Sequence, residues 1–245
     1  MRPAELAKMY DLEDTYWWFV ARRELVRDFV LRHRPSASDL HILDVGCGTG
    51  ATLNMMRGIG ALTGIDRSPS ALHYCRLRGL KQLALGTAEA LPIASESTDV
   101  VLALDLLEHV TDDGAAAREF ARVLRPGGLL IVTVPALPEL WSEHDEALDH
   151  LRRYRAGRLR GILTDAGLHI EKLSYLITAL LLPIAALRLL QRRLPRKTRE
   201  AQTAFIIPPK PINWVLTSLL RLERLWLTRF NLPVGVSLIA LARKA

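Results

Sequence analysis

His41-Ile-Leu-Asp-Val-Gly-Cys-Gly-Thr-Gly50 decides the fold. Its first half, Ile42 to Val45, is apolar apart from one acid and reads as a short buried strand. Its second half sets glycine at alternate positions, Gly46, Gly48 and Gly50, and runs into a helix starting near Ala51. Glycines at that density let backbone approach a ligand where a Cβ would collide. Asp44 falls at the carboxyl end of the strand, the edge at which doubly wound sheets bind ligands. The spacing is Asp-x-Gly-x-Gly-x-Gly and not the Gly-x-Gly-x-x-Gly of dinucleotide binders. A pyrophosphate seeks free N–H groups and the positive end of a helix. An acid beside the turn repels that ligand and suits a cationic amino-acid group.

This stretch resembles the first motif of class I S-adenosylmethionine (SAM)-dependent methyltransferases of the type 11 kind, and the later motifs follow in the family's order. The resemblance implies an α/β fold, a doubly wound, seven-stranded Rossmann-like sheet, with SAM as cofactor. It places Asp44, Gly46, Cys47, Gly48 and Gly50 around the donor's amino-acid end. Leu62-Thr-Gly-Ile-Asp66 reads as a second strand ending in an acid, about 20 residues past the first glycine and able to accept two ribose hydroxyls. The resemblance assigns Asp66 that contact, with Arg67 beside it. Ser68 and Pro69 then suit the cap and first turn of a helix. Leu83-Ala-Leu85 is a third strand, followed by the loop that holds adenine in the family. Thr87 stands where an acid is common, a departure from the pattern. Ala88 offers a backbone N–H there, and Glu89 matches a frequent acid. Asp99 to Leu104 is the fourth strand, and Asp105 and Leu106 border the methionine end of SAM by resemblance. Asp105, Glu108 and His109 are also similar to the Glu-x-x-Glu-His of ubiquinone-biosynthesis O-methyltransferases, which can hold a divalent ion. Leu-Glu-His occurs widely without metal, so no metal is assigned. A nicotinamide-binding turn and a purely structural turn are the competing readings.

Ala115 to Leu124 continues a helix that Arg125-Pro-Gly-Gly128 stops before a fifth strand, Leu129 to Val134. The loop after that strand faces the acceptor pocket in such folds. It concentrates Trp141, His144, Asp145, His150, Arg152, Arg153 and Tyr154. A histidine near neutrality can take a hydroxyl proton while a carboxylate orients it, which makes His144 with Asp145 the candidate catalytic pair. Arg152 and Arg153 suit an anionic acceptor group, and Trp141, His150 and Tyr154 complete that wall. A structural helix with solvated charges is the alternative. Upstream, residues 4–33 read as helical, with the aromatic cluster Tyr16 to Phe19 serving either as core or as a lid. Trp18 and Arg22 are its candidate acceptor contacts.

At 245 residues and 49% hydrophobic, the chain can bury a full core. Two cysteines are too few for a disulfide framework and point to a reducing, cytoplasmic setting. The charged, aromatic N-terminus does not read as a signal peptide. The net charge of +7 is segregated: residues 177–233 hold ten basic side chains and two acidic ones. That segment separates a sixth strand, Leu168 to Tyr175, from a last one, Val236 to Ala242. The expected organisation is a helical lid over 1–35, a SAM-binding core over 36–176 and 234–245, and a basic, apolar helical insertion over 177–233. Within the insertion, Leu173 to Leu187 is apolar, bounded by Lys172 and Arg188 and broken by Pro183, too short as a helix to cross a bilayer. Ile212 to Phe230 reads as a second helix, with Arg192 to Arg199 a basic linker between them. Apolar helices with tryptophan and flanking arginine suit an anionic membrane surface. An ordinary helical cap or a dimer interface, charges outward, is the other reading, and oligomeric state stays open. Nucleic acid is not expected, because no recognition module accompanies the basic run.

The combined expectation is a SAM-dependent methyltransferase acting on an amphiphilic or lipid-linked acceptor, glycan-lipid or quinone-like, from the cytoplasmic membrane face. The alternatives are a non-catalytic SAM-binding assembly or regulatory protein and a methyltransferase of a small soluble metabolite.

Overall fold

The computed structural model describes residues 3–33, 39–193 and 207–245, without the side chains of residues 3, 4, 189 and 191–193. Two helices open the chain, α1 (Pro3–Leu12) and α2 (Trp17–His33), followed by β1 (Leu40–Val45), α3 (Ala51–Met55), β2 (Gly60–Asp66) and α4 (Pro69–Leu77). Then come β3 (Leu83–Leu85), β4 (Thr98–Leu104), α5 (Asp113–Val123), β5 (Leu124–Pro135), α6 (Glu143–Ala147), α7 (Ala156–Asp165) and β6 (Leu168–Leu176). The insertion supplies α8 (Leu181–Arg193) and α9 (Lys210–Leu227) before β7 (Ser237–Lys244) closes the sheet.

The seven strands lie in the order β3-β2-β1-β4-β5-β7-β6. The first five are parallel and β7 runs antiparallel between β5 and β6. This is the doubly wound methyltransferase-like sheet expected from the motifs. Strand β4 is buried along its whole length, as its run of valines and leucines requires when helices cover both faces of a parallel sheet. Alternate residues feed two cores. Leu43, Val101, Leu130 and Val132 meet Phe120, Leu159 and Leu163 on one side. Ile42, Val100, Leu102 and Ile131 meet Val26, Phe29, Leu220 and Leu227 on the other. Helix α9 thus packs on the sheet together with α2.

Three local readings are corrected. The N-terminal helix is broken at Glu13–Tyr16, which turns the aromatic cluster over the carboxyl edge of the sheet. Arg125–Gly128 lies within β5, where the register shifts between Leu124 and Leu129, so it is a strand irregularity as well as the end of α5. Pro183 lies in the first turn of α8, where a missing N–H costs nothing, so it opens the helix and does not break it. Ser68 and Asp112 do cap α4 and α5, accepting from Ala71 N at 3.4 Å and Ala115 N at 2.8 Å. The basic linker over Arg192–Arg199 lies outside the described residues, save the helical backbone of Arg192 and Arg193. Most of the loop over Pro35–Asp39 does too.

Candidate active site

A cavity of about 850 Å³ opens at the carboxyl edge of β1, β2, β4 and β5. The glycine turn forms its floor. Gly46 and Gly48 sit at φ +73° and +53°, the left-handed region, and a Cβ would come 2.7 Å from Leu106 Cδ1 at Gly46 and 2.9 Å from Met9 Cε at Gly48. Gly50 instead faces Leu80 and Cys75 behind the turn and does not reach the cavity wall. The amides of the turn are already engaged. Gly46 N and Cys47 N both donate to Ile65 O, at 2.8 and 3.0 Å, and Gly48 N donates to Asp66 Oδ2 at 3.0 Å. A nest for phosphate needs such N–H groups free, so this turn is not one. Asp66 also accepts Ser68 N at 2.8 Å on Oδ1, and each carboxylate oxygen keeps lone-pair capacity for a hydroxyl.

Asp44 is 3% exposed, and burial pushes its pKa up to about 7, against the pull of Arg22 and with a further push from Asp66 and Glu13. A buried acid poised there is stabilised by an arriving cation. Arg22, from α2, ion-pairs with Asp105 Oδ2, while its buried Nε has no hydrogen-bond partner. Asp105 has φ +50° and accepts Thr133 Oγ1 at 2.9 Å on its other oxygen. The roof comes from α1 and the start of α2: Leu6, Met9, Glu13, Tyr16, Trp17 and Trp18 line the cavity. Glu13 is the tie between roof and floor. It accepts Thr49 Oγ1 and, at 2.9 Å, Arg78 Nη2, while Arg78 Nε donates to Thr49 O at 3.0 Å. Burial raises the Glu13 pKa, and Thr49 and Arg78 oppose the rise. Glu13 and Arg78 were not singled out from sequence, since each looks like a solvated charge.

The remaining cofactor candidates, Cys47, Arg67, Ala88, Glu89 and Leu106, all line the same cavity, as do Trp18 and Arg22. The acceptor loop departs more from its reading. Asp145 is fully buried in a capping box, with Oδ2 accepting Ser142 N at 2.9 Å. Its Oδ1 takes His150 Nδ1 at 3.0 Å and Arg153 Nε at 2.8 Å. Burial opposes its ionisation, yet His150, Arg153 and Arg188 together hold its carboxyl well below the usual range. The carboxylate is therefore directed at His150, five residues on, and the expected His144–Asp145 pairing is replaced by His150–Asp145. His144 lines the cavity, but burial drives its pKa down to about 4, Arg188 adding to the effect and Asp145 resisting.

Arg153 lines the cavity with its guanidinium committed to Asp145 and to Ala136 O at 2.8 Å. Trp141, Arg152 and Tyr154 do not reach the cavity wall. Arg152 pairs with Asp113 at 2.9 Å and donates to Thr111 O at 3.1 Å. Tyr154 is wholly buried, its hydroxyl donating to Leu107 O at 3.0 Å and lying 2.9 Å from Asp113 Oδ2. These two are fold contacts. Glu108 is 0% exposed with both carboxylate oxygens unpartnered, and burial, then Asp105, raises its pKa well above the ordinary value. One ligand atom each from Glu108, His109 and His150 lies within 4.8 Å of the others. Asp105, the first member of the acid-x-x-Glu-His set, is instead bound to Arg22 and Thr133 and stands outside that group.

The insertion closes the cavity through Ile177, Ile184, Leu187, Arg188, Pro208 and Leu216. Helix α9 buries Leu220 and Leu227 and ties its charges to neighbouring elements. Arg221 grips Glu24 through Nε at 2.9 Å and Nη2 at 2.5 Å, Arg224 lies 3.4 Å from Glu24 and 3.6 Å from Asp28, and Glu223 accepts Ile177 N at 2.6 Å and Thr178 N at 2.9 Å. Trp214, Val215, Leu222, Leu225 and Trp226 face outward, with Trp214 68% and Trp226 54% exposed. Arg221 stays 47% exposed at the border of this apolar face, while Arg224 is largely covered. No helix among the described residues is long and apolar enough to cross a membrane.

Comparison with known proteins bears on this site. Residues 43–132 match the model of the methyltransferase domain family. A Mycolicibacterium smegmatis protein named as a probable S-adenosylmethionine-dependent methyltransferase is 30% identical over 163 residues, covering 65% of this chain and 62% of that protein. A ubiquinone biosynthesis O-methyltransferase of Azorhizobium caulinodans is 33% identical over 157 residues, covering 54% of this chain and 61% of the other. The chain therefore spans less than two thirds of the length of these curated relatives. Among solved structures, Haemonchus contortus phosphoethanolamine N-methyltransferase 2, in complex with S-adenosyl-L-methionine, aligns at a TM-score of 0.57 with 18% identity, over 89% of this chain and 51% of that one. That likeness concerns the fold.

Proposed function

We propose that this chain, whose residues 43–132 match the methyltransferase domain family, is a class I SAM-dependent methyltransferase that transfers a methyl group to an amphiphilic or lipid-linked acceptor at a membrane surface. When bound, SAM supplies a methyl made electrophilic by its sulfonium. The chain's own contribution is alignment, exclusion of water and charge. Asp44 suits the donor's ammonium, the orphan Nε of Arg22 its carboxylate, and Asp66 the ribose hydroxyls. The roof of Leu6 and Met9 from α1, Tyr16 from the turn and Trp17 and Trp18 from α2 serves to exclude water from the reacting atoms.

One observation carries the choice of acceptor. Helix α9, which helps wall the cavity, presents an outward apolar face bearing Trp214, Trp226 and Leu222, with Arg221 and Arg224 bound to Glu24 along its border. A soluble surface helix carries polar residues on its outward face. An exposed tryptophan-bearing face beside an opening is suited to the headgroup boundary of a bilayer, from which an amphiphile reaches the cavity without passing through water. The basic excess of the insertion favours an anionic surface. We assign the protein to the cytoplasmic face as a peripheral protein, in keeping with its two free thiols. Radiolabelled SAM, incubated with the protein and an anionic membrane lipid extract, should label organic-phase lipid, and Asp44→Ala should not. SAM binding without label in any extract would favour the non-catalytic reading. Label confined to small soluble acceptors, with no vesicle binding, would favour a soluble metabolite.

A further inference from the structure

His150 is fixed from one side only. Its Nδ1 meets the fully buried Asp145 at 3.0 Å, a contact that in the neutral ring puts the hydrogen on Nδ1 and leaves the lone pair on the opposite nitrogen, Nε2. The ring lines the cavity and stands edge-on to His109, centroids 4.8 Å apart. Next to it is Glu108, buried, cavity-lining and with neither carboxylate oxygen satisfied by the protein. A buried carboxyl that lines a cavity with neither oxygen bonded by the protein is free to hydrogen-bond a ligand there.

We infer that His150, oriented by Asp145, is the base that removes a proton from an acceptor hydroxyl, and that Glu108 positions this hydroxyl-bearing head group by hydrogen bonding, so that oxygen is the methylated atom. The inference rests on the methyl-transfer reading and deepens it. The acceptor O–H gives its proton to His150 Nε2 as its oxygen bonds the methyl carbon. The C–S electron pair departs with the donor's sulfur, leaving a neutral thioether, and the imidazolium later returns the proton to solvent. The imidazolium forms 3.0 Å from a carboxylate already ionised in the resting protein, which stabilises it where it is made. At His144 burial outweighs the pull of Asp145 and holds the pKa down to about 4, which makes it the weaker base. The groups facing His150 are Asp145 and His144 from α6, Arg153 from the following loop, Arg188 from α8, and Glu108 and His109 from the turn after β4.

Two acceptors sharing one decyl chain, 4-decylcatechol and 4-decylaniline, test this in vesicles. Transfer should go to the catechol. His150→Gln should lower kcat by about 100-fold or more, leave the calorimetric Kd for SAM within about twofold and flatten the rise of kcat with pH. Glu108→Gln should raise KM for the catechol more than it lowers kcat. A merely structural role would leave the pH profile unchanged. Independently of activity, 15N-histidine NMR at pH 8 should find His150 as the Nδ1–H tautomer, lost in Asp145→Asn. The inference is overturned by an Nε2–H tautomer, by a retained pH profile in His150→Gln, or by SAM binding without transfer to the catechol. Transfer abolished by EDTA and restored by magnesium also overturns it, making the cluster a metal centre. Failure to bind SAM at all overturns the methyl-transfer reading instead.

Discussion

Replacing Trp214 and Trp226 together by serine tests the outward face of α9. The two indoles are 68% and 54% exposed. A tryptophan buries up to about 250 Å², so roughly 150 Å² of each faces solvent and the pair offers about 300 Å² to a bilayer. At about 25 cal/mol per Å² full immersion contributes about 7 kcal/mol. Interfacial seating of about a third of that area gives about 2.5 kcal/mol, a loss of roughly 70-fold in partition. Because both side chains face mainly outward, the double variant should stay folded, losing about 1–2 kcal/mol with the covered part of each ring and the Trp226–Phe230 contact. Co-sedimentation with phosphatidylglycerol vesicles measures the partition, with Leu77→Ser, 59% exposed on α4, as the control. A change below threefold, or an equal loss in the control, would refute the reasoning.

Asp44 sets a stability–function opposition. Its folded pKa of about 7 lies above its ordinary carboxylate value of 3.8, so the folded state holds a proton that the unfolded chain releases. Stability therefore falls as pH rises from about 4 to about 7 and levels off above, a penalty on the order of a few kcal/mol. Asp44→Asn should be more stable than the parent at pH 8 by differential scanning calorimetry, yet bind SAM at least tenfold more weakly. In the parent, SAM affinity should rise with pH through about 7, as the carboxylate becomes charged, and the variant should lose that dependence in titrations at pH 6 and 8. Tyr154→Phe should cost about 1–2 kcal/mol in urea unfolding, because it removes the buried hydroxyl's hydrogen bonds to Leu107 O and Asp113 Oδ2, and leave kcat unchanged. Gly46→Ala should destabilise by about 1–2 kcal/mol, from a left-handed φ and contact with Leu106, and should weaken SAM binding in calorimetry.

The sheet was legible because its evidence is local. Buried strands, the Asp-x-Gly-x-Gly-x-Gly turn, Asp66 and the Ser68 cap each announce themselves within a few residues. What escaped depends on partners distant in sequence. The apolar character of α9 was readable, but which of its faces meets protein was not; Glu24 and Asp28, nearly 200 residues earlier, fix that by pairing with Arg221 and Arg224. The aim of Asp145 was equally hidden, since a carboxylate beside His144 in sequence points to His150 once α6 is a single short helix and the chain doubles back. Tyr154 and Arg152 look like binding residues in a polar loop and are instead drawn to Asp113. Glu108 gives no sequence sign of burial, because the turn after β4 that hides it is set by packing against the acceptor loop.

Titration calorimetry with SAM bears most directly on the cradle formed by Asp44, the glycine turn and Asp66. The account predicts one SAM per chain, affinity reduced at least tenfold in Asp44→Asn, and no heat from NADH. No heat at millimolar SAM, or binding of NADH in its place, would contradict it.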